Sequence, residues 1–540
     1  FHKISRSKQE NDINFFENIF DFKKSGNEEF LDIYERQFFC IDKVKEIWVD
    51  SLKDSKIYDS ETLNASHRFH WNNFIFHLYE SDIEKNKLID LILSWRKQFS
   101  HRKKNLSWQP YNVSERICNW IVLIHFLKGK ICKDKEDILV DEIKNHIFFL
   151  AENLEYPSSG IINNHVFNNA RALYIGGLFI NNISITNLAE QIIKESYDKL
   201  FCKSGFLNES STHYHFLITR SILEIYLFAR EEHYNDEFCN FIRSRLNNAV
   251  NCCKFLLGEK IVDNNSMPKI GDVSPDIPFE WFNPFSDRGW SKIWNYSLDD
   301  FYRSNIKNYQ LIDGWLKLNK NKWTIFTFLH PDTSEYPSGH GHNDFASINL
   351  YHNNKPILID IGCMSYDNKN RYFNYGRNSY DHNTLQINGK SLIEPGIGRK
   401  SIISSKLRNK CSHEYNTYSI NWKGTTNQNI SWKRKIELLS EEKIIVNDVC
   451  DGNNFEFMRG FYYISNYLEL YSQNENKIIL KTKDVKADLF EFVFDKDCEI
   501  KVKDSYFFSN YGIKENIKCI NTNIKYPKKN SILEINRIKL

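Results

Sequence analysis

Ser338-Gly-His340-Gly-His342-Asn-Asp344-Phe-Ala346 opens the stretch that decides the fold, and Asp381-His382-Asn383-Thr384 closes it. Between them, Ser347–Tyr351 reads as a strand, His352-Asn-Asn-Lys355 as a turn, and Pro356–Ile361 as a returning strand that carries Asp360. Two such runs across an Asn-Asn turn predict an antiparallel hairpin. A polar aromatic loop, Tyr366–Tyr380, follows, and a third strand is predicted over Leu385–Ile387. His340 and His342 are two residues apart, so on a strand edge they point the same way. Asp360 ends the returning strand and His382 starts the third, which gathers imidazoles and a carboxylate at one end of a sheet. Those are ligand types that zinc takes. Each histidine alone is more simply a loop residue satisfied by backbone or solvent; the set, in a Gly-His-Gly-His frame, points to function.

Gly339-His-Gly-His-Asn-Asp-Phe-Ala346, Pro356-Ile-Leu-Ile-Asp-Ile-Gly362 and Asp381-His-Asn-Thr384 together resemble the signature of the heparinase II/III-like polysaccharide lyases, which related alginate lyases share. The resemblance implies an α+β multidomain chain, with an N-terminal incomplete (α/α) toroid followed by a C-terminal antiparallel β-sandwich of stacked sheets.

Patterning along the rest of the chain agrees with two such parts. At 540 residues the chain exceeds one ordinary core. Apolar residues recur at helical spacing over Ser81–Phe99, Val113–Leu127, Ile138–Leu154, Val166–Phe179, Ile185–Lys199, His213–Arg230 and Phe238–Leu257. After Trp315 the pattern turns to short β-rich runs between Asn and Asp turns. Three regions are expected: a lead-in over 1–66, a toroid over 67–314 and a β domain over 315–540. The Lys/Asn-rich stretch from Lys514 to Asn530 reads as a solvated edge.

Composition narrows the function. A formal net charge of only +3 argues against a dedicated nucleic-acid binder, while leaving room for a basic groove that takes an acidic polymer. The 12 cysteines have no Cys-x-x-Cys spacing, so neither a disulfide scaffold nor a cysteine-based zinc site is expected. No apolar run is long enough to span a membrane. The chain begins at Phe1 without a signal-peptide core, and a periplasmic or cell-envelope location is expected from the resemblance alone.

Three clusters carry the chemistry. Asn163-Asn164-His165-Val-Phe-Asn168 opens a helix, where Asn163 serves as a cap. Two further Asn and a His exceed what capping needs, and by resemblance Asn164 and His165 lie in a catalytic cleft. Asn168 stands where several family members have a glutamate. Glu209-Ser-Ser-Thr-His213-Tyr214-His215 is the second cluster, and the family's catalytic Tyr maps to Tyr214, flanked by His213 and His215 as substrate contacts or cationic neighbours. Ser114 reads as a further helix cap. In the third cluster the resemblance puts His340 in the active site and His342, Asp360 and His382 on a mainly structural zinc. Tyr372, Tyr375 and Arg377 of the aromatic loop are candidate sugar contacts. Lyases of acidic glycans take the proton on C5 and expel the O4 group. They therefore need neutralisation of the uronate carboxylate, a base and an acid. The expected activity is β-elimination of a uronic-acid polysaccharide, with a link to bacterial surface polysaccharide as one setting. The alternatives are a glycan-binding or glycan-processing protein without lyase activity, and a zinc hydrolase with Asp344 as general base.

Overall fold

The computed structural model describes residues 85–101, 106–157, 162–232, 234–257, 309–329, 340–363, 374–391, 410–414, 417–423, 430–508 and 514–539, with short pieces at 71–72, 267–272, 283 and 372. The expected lead-in over 1–66 lies outside the described residues, as does the aromatic loop over 366–371.

Seven α-helices come first among the described residues. They are α1 (Lys85–Phe99), α2 (Pro110–Phe126), α3 (Lys133–Glu152), α4 (Asn164–Phe179), α5 (Ile183–Leu200), α6 (Thr212–Glu232) and α7 (Asp236–Leu257). These are the seven that apolar spacing predicts, with shifted starts. Pro110 opens α2 because the first turn has no use for its missing N–H. Ser114 therefore lies inside α2, where its hydroxyl donates to Pro110 O at 2.8 Å, and the expectation that it caps a helix is corrected. α3 begins five residues earlier than its apolar pattern, at Lys133, with Asp134 and Glu136 in its first turn complementing the helix dipole.

Tryptophans and a buried cation join the first three helices. Arg116 on α2 lies 4.1 Å from the Trp95 ring centroid of α1, and its Nε donates to His146 Nε2 of α3 at 3.0 Å. A guanidinium taken out of water needs such partners.

The described residues form two compact units. One holds residues up to Phe201 together with Ile218–Leu246; the other holds Cys202–Leu217, the C-terminal half of α7, the 267–272 piece and everything from Tyr309 onward. The start of α6 thus belongs with the β-rich unit.

That unit contains two antiparallel sheets. The ten-stranded sheet runs in the order Tyr309–Ile312, Trp315–Lys320, Trp323–Phe328, Asn349–His352, Lys355–Leu358, Phe457–Ile464, Glu515–Lys525, Glu499–Phe507; Leu385–Ile387 pairs with both Phe457–Ile464 and Lys390–Ser391. The eight-stranded sheet runs Leu468–Gln473, Lys477–Thr482, Asp488–Phe494, Asn530–Lys539, Lys443–Asp451, Ser431–Leu438, Thr417–Lys423, Lys410–Glu414. Trp323, Leu350, Ile357, Met458 and Ile520 from the first sheet share one core with Trp432, Ile436, Val446, Phe492 and Leu533 from the second. This is a face-to-face sandwich. The predicted hairpin is present, turned by Asn353 and Asn354 at φ 50° and 63°, as a type I′ turn demands. The expected solvated edge over 514–530 is corrected: Glu515–Lys525 is an interior strand between Phe457–Ile464 and Glu499–Phe507. Its Ile517, Cys519, Ile520 and Ile524 are buried, whereas its Lys and Asn residues hid the pattern.

Candidate active site

From His340 to Ile348 the chain is a loop; the strand begins only at Asn349. His340 and His342 converge nonetheless, because both bind one carboxylate. Asp272 Oδ2 lies 3.0 Å from His340 Nδ1, and Asp272 Oδ1 lies 2.9 Å from His342 Nε2. Arg377 Nη2 reaches the same Oδ1 at 3.0 Å, and the Cys363 thiol donates to it at 3.3 Å. Asp272 is 1% exposed. Burial pushes its pKa up, but the hydrogen bonds from His340 and His342 and the charge of Arg377 more than offset this, holding the carboxyl well below the usual carboxylate range.

Backbone contacts fix that carboxylate. Asp272 N–H donates to His340 O at 2.8 Å, and Thr212 N–H donates to Ile270 O at 3.0 Å. Ser211 is the N-cap of α6: its Oγ accepts from Tyr214 N–H at 3.1 Å and donates to Asp272 O at 2.6 Å. Gly271 makes this closeness possible. At φ +72°, a Cβ there would stand 2.3 Å from Ser210 O and 2.7 Å from His340 O.

The loops behind the histidines are anchored on the sandwich. Arg434, fully buried, bonds Asp448 through Nε and Nη2, and its Nη1 donates to Ala346 O at 2.8 Å and Asn383 O at 3.2 Å. Asn383 donates to Ile359 O and accepts from Tyr463 N–H at 2.6 Å. The loop that follows His342, at Ala346, and the Asp-His-Asn-Thr segment, at Asn383, thus share one buried guanidinium. Gly376, at φ +88°, lets the loop bearing Arg377 pass against Gly362 O, where a Cβ would come within 2.0 Å.

Tyr214 stacks on His340, with ring centroids 3.7 Å apart and planes 16° from parallel. His340 is 19% exposed. Its Nδ1–H donates to Asp272, and its Nε2 lies 3.6 Å from Glu209 Oε2. A phenol and a carboxylate-oriented imidazole therefore stand side by side, the pairing that general acid–base chemistry uses. The residues flanking Tyr214 do not share its place, which corrects the expectation of direct substrate contact. His213 is buried, with Lys269 Nζ 3.2 Å from its Nε2. His215 is buried too, its Nδ1 accepting from Leu207 N–H at 3.2 Å and its Nε2 lying 3.1 Å from Ala249 O. Burial pushes its pKa down to about 4, so it is neutral.

The residues expected on zinc, His342, Asp360 and His382, are all buried. His382 Nδ1 lies 2.7 Å from Asp360 Oδ2, and the His342 and His382 ring centroids are 5.5 Å apart. Burial alone would push His382 down, but the charge and hydrogen bond of Asp360 lift it to about 9. Each histidine keeps one ring nitrogen, His342 Nδ1 and His382 Nε2, without a hydrogen-bond partner among the described residues. Two imidazoles, each tied to a carboxylate on one side and open on the other, fit the carboxylate–histidine–metal pattern. In this geometry Asp360 supports His382 from behind. A second donor set shares His342: Asp272, His342 and Cys363 each place one ligand atom within 4.8 Å of the others. Both sets suit a borderline cation such as zinc.

On the helical unit, Asn163 caps α4, accepting from His165 N–H and Val166 N–H. Asn164 is buried, while the His165 side chain is 47% exposed, with its Nδ1 3.3 Å from Glu155 Oε1 and its ring 4.7 Å from that of Tyr111. In the β-rich unit, Tyr372 and Tyr375 pack with Tyr506 and Phe508; Tyr375 Oη bonds Ser505 Oγ at 2.6 Å. Arg377, expected as a sugar contact, spends its charge on Asp272 while staying 23% exposed. Sequence reasoning gave no role to Asp272, Glu209 or Cys363. The one local signal was Asp272 following a glycine in a Pro- and Gly-punctuated loop.

A helical toroid followed by an antiparallel β-sandwich, with a Tyr–His pair beside a buried carboxylate, is the architecture of a polysaccharide lyase. The chain belongs to the heparinase II/III family: the heparinase II/III N-terminus matches residues 35–292, and the heparinase II/III-like C-terminal domain matches residues 313–535. Similar solved structures include heparinase III (17% identity, TM-score 0.68, covering 90% of this chain and 78% of that one). Others are the heparan sulfate lyase HepC from Pedobacter heparinus (14%, 0.58, 90% and 78%) and the heparinase III BT4657 gene product (15%, 0.62, 89% and 80%). At these identities the likeness shows the shared toroid-plus-β-sheet fold. No curated protein matches the sequence. No helix among the described residues is long and apolar enough to cross a membrane.

Proposed function

We propose that this lyase cleaves a uronic-acid-containing polysaccharide by β-elimination, with His340 and Tyr214 as its proton-transfer pair. The observation that carries the reading is the 3.7 Å stack of Tyr214 on an imidazole whose Nδ1 is held by buried Asp272. His340 Nε2 takes the C5 proton. The electron pair of that C–H bond forms the C4–C5 double bond, the C4–O4 bond breaks, and O4 takes the phenolic proton of Tyr214. Asp272 holds the Nδ1 side of His340, so that Nε2 is the nitrogen turned to proton transfer, a positioning role. On the helical unit, exposed His165 and neighbouring Asn164 hydrogen-bond an acidic group of the glycan. The names of the solved relatives, heparinase III and heparan sulfate lyase, support a glycosaminoglycan-like substrate. A hydrolase using Asp344 is less well supported, since that carboxylate is 1% exposed.

The test is ultraviolet absorbance of the unsaturated uronate during incubation with heparan sulfate, hyaluronan, chondroitin, alginate and acidic bacterial capsules. A rise with one polymer supports elimination and names the substrate. New reducing ends without the absorbance would instead favour hydrolysis.

His342 and His382, the latter backed by Asp360, would hold a zinc ion, which would supply a structural tie rather than chemistry. His342→Ala should abolish bound metal by elemental analysis and lower Tm. A variant that keeps its metal would move the ligand set elsewhere.

A further inference from the structure

The ten-stranded sheet has a second face that the core does not use. Along Phe457–Ile464, Met458, Tyr462 and Ile464 face the sandwich core, as do Ile520 and Ile524 of Glu515–Lys525. The alternate residues therefore face the other way. At one end this outer face is covered by a small apolar cluster of Ile361, Tyr463, Phe507 and Ile517, with Tyr375 packed on it. Beyond that cover it opens into a cavity of about 760 Å³. This is within the roughly 300–1,000 Å³ typical of ligand sites. Tyr214, Asp272, His340 and His342 do not line it.

Strand register orders its polar groups. Arg459 pairs with Gln386 on one side and Asn523 on the other, and Glu499 lies across from Asn523. The next row joins Phe461, Asn521 and Lys501, and Lys503 follows. The acids of the lining have their own partners. Glu499 is engaged by Lys501 at 2.9 Å and by Asn523 Nδ2 at 3.2 Å, Asp504 by Lys518, and the buried Asp381 by the Gly376 and Asn378 N–H groups. Arg459, Lys503 and Lys525 make no ion pair among the described residues, and the Arg459 guanidinium only rests 4.7 Å from the Phe457 ring centroid. The uncompensated charge of the cavity is thus cationic. Asn523 Oδ1 is buried on its floor without a partner among the described residues. At its wall the Tyr380 ring is 44% exposed and stands 6.4 Å from that of Phe461.

We propose that this outer face is a second, non-catalytic binding site for a carboxylate- or sulfate-bearing oligosaccharide segment. Three spaced cations suit the repeated anions of an acidic glycan, the amide row suits its hydroxyls, and an exposed phenol ring suits a pyranose face. Mixed amides and paired acids fit a sugar better than the unbroken negative charge of a nucleic acid. The choice of ligand rests on the acidic-glycan reading above; the site itself rests on the cavity and its charges.

The test uses the full chain carrying Tyr214→Phe, so that bound probe is not turned over. Binding of labelled heparin and hyaluronan octasaccharides is measured by fluorescence anisotropy, with maltoheptaose and a DNA octamer as controls. At least one acidic octasaccharide should bind and maltoheptaose should not. Adding Arg459→Glu and Lys503→Glu should weaken binding by roughly tenfold or more and flatten its salt dependence, and Tyr380→Ala should weaken it by a smaller factor. Unchanged Tm establishes that these surface variants fold. Absence of binding by both octasaccharides, or affinity indifferent to the charge reversals, overturns the site. A DNA octamer bound as tightly as the sugars overturns the assignment to glycan. Loss of the lyase reading would be seen separately, as polymer incubated with the unmutated chain yielding no unsaturated product, and leaves this binding measurement standing.

Discussion

Two buried charge clusters, one in each unit, obey the same electrostatics and have different consequences. In the helical unit, Arg171 bonds Glu115 at 2.8 Å and Glu224 at 2.9 Å, and Arg220 lies 3.4 Å from Glu115. All four side chains are at most 5% exposed. Burial pushes Glu115 up, but the two guanidinium charges hold it below its ordinary value. In the β-rich unit, Asp272 is just as buried and is likewise held ionised, yet its partners His340 and Arg377 are 19% and 23% exposed. The first cluster lies wholly in the core and ties α2, α4 and α6 together. The second has a buried anchor and partners that reach solvent, which is how a fold orients a reactive group without immersing it. On the proposed function, what separates the two clusters is the exposure of the partners, since the charges are equally buried.

The comparison breaks first at Tyr214. Tyr214→Phe keeps the stack on His340 and removes only the transferable proton. Turnover should fall about 10²–10⁴-fold, with Tm shifted by no more than about 2 °C. Product formation and a thermal melt measure both, and near-normal turnover would take Tyr214 out of the chemistry. In the closed cluster the effect should be on stability instead. Arg171→Ala leaves two buried carboxylates short of a partner and should cost about 3–5 kcal/mol in denaturant titration. A variant as stable as the parent would mean that water enters this core. Asp272→Asn lies between the two cases. The amide keeps the shape but cannot accept from both histidines and Arg377 as a carboxylate does. Turnover should drop by roughly 10²-fold with about 1–3 kcal/mol of stability. If Asp272→Asn altered only Tm, the two clusters would be of one kind.

How much of this was legible in the sequence follows from the range of each signal. The seven helices and the hairpin were legible because 3.6- and 2-residue periodicities and the Asn353-Asn354 turn are local. His340 and Tyr214 were singled out through their motifs, and the structure stacks their rings. Asp272 was not: it stands 68 and 70 residues from the histidines it orients, and a single Asp in a loop carries no pattern. Nor was the strand Glu515–Lys525, because Asn and Lys interrupt its apolar residues on both faces. The outer-face site proposed above uses three of those interrupting side chains, Asn521, Asn523 and Lys525.

His215 sharpens the comparison by having no charge at all. It follows Tyr214 directly, yet its ring is sealed between Leu207 N–H and Ala249 O and is kept neutral by burial. Its folded pKa, about 4, lies below the ordinary 6.5, so on acidification the unfolded chain takes up the proton first. The stability tied to a neutral His215 is therefore complete above pH 6.5, declines as pH falls below that, and is gone near pH 4, a total of at most about 3 kcal/mol. His215→Gln should lower stability at pH 7 and flatten its pH dependence within that window. The difference between the two proteins isolates this residue from the carboxylates that titrate beneath it. If both curves fall in parallel from pH 6.5 to 4, His215 is already protonated or solvated in the folded chain. The start of α6 would then be open to water at both Tyr214 and His215, and the division between a sealed ring and a working one would fail at the place where the two are adjacent.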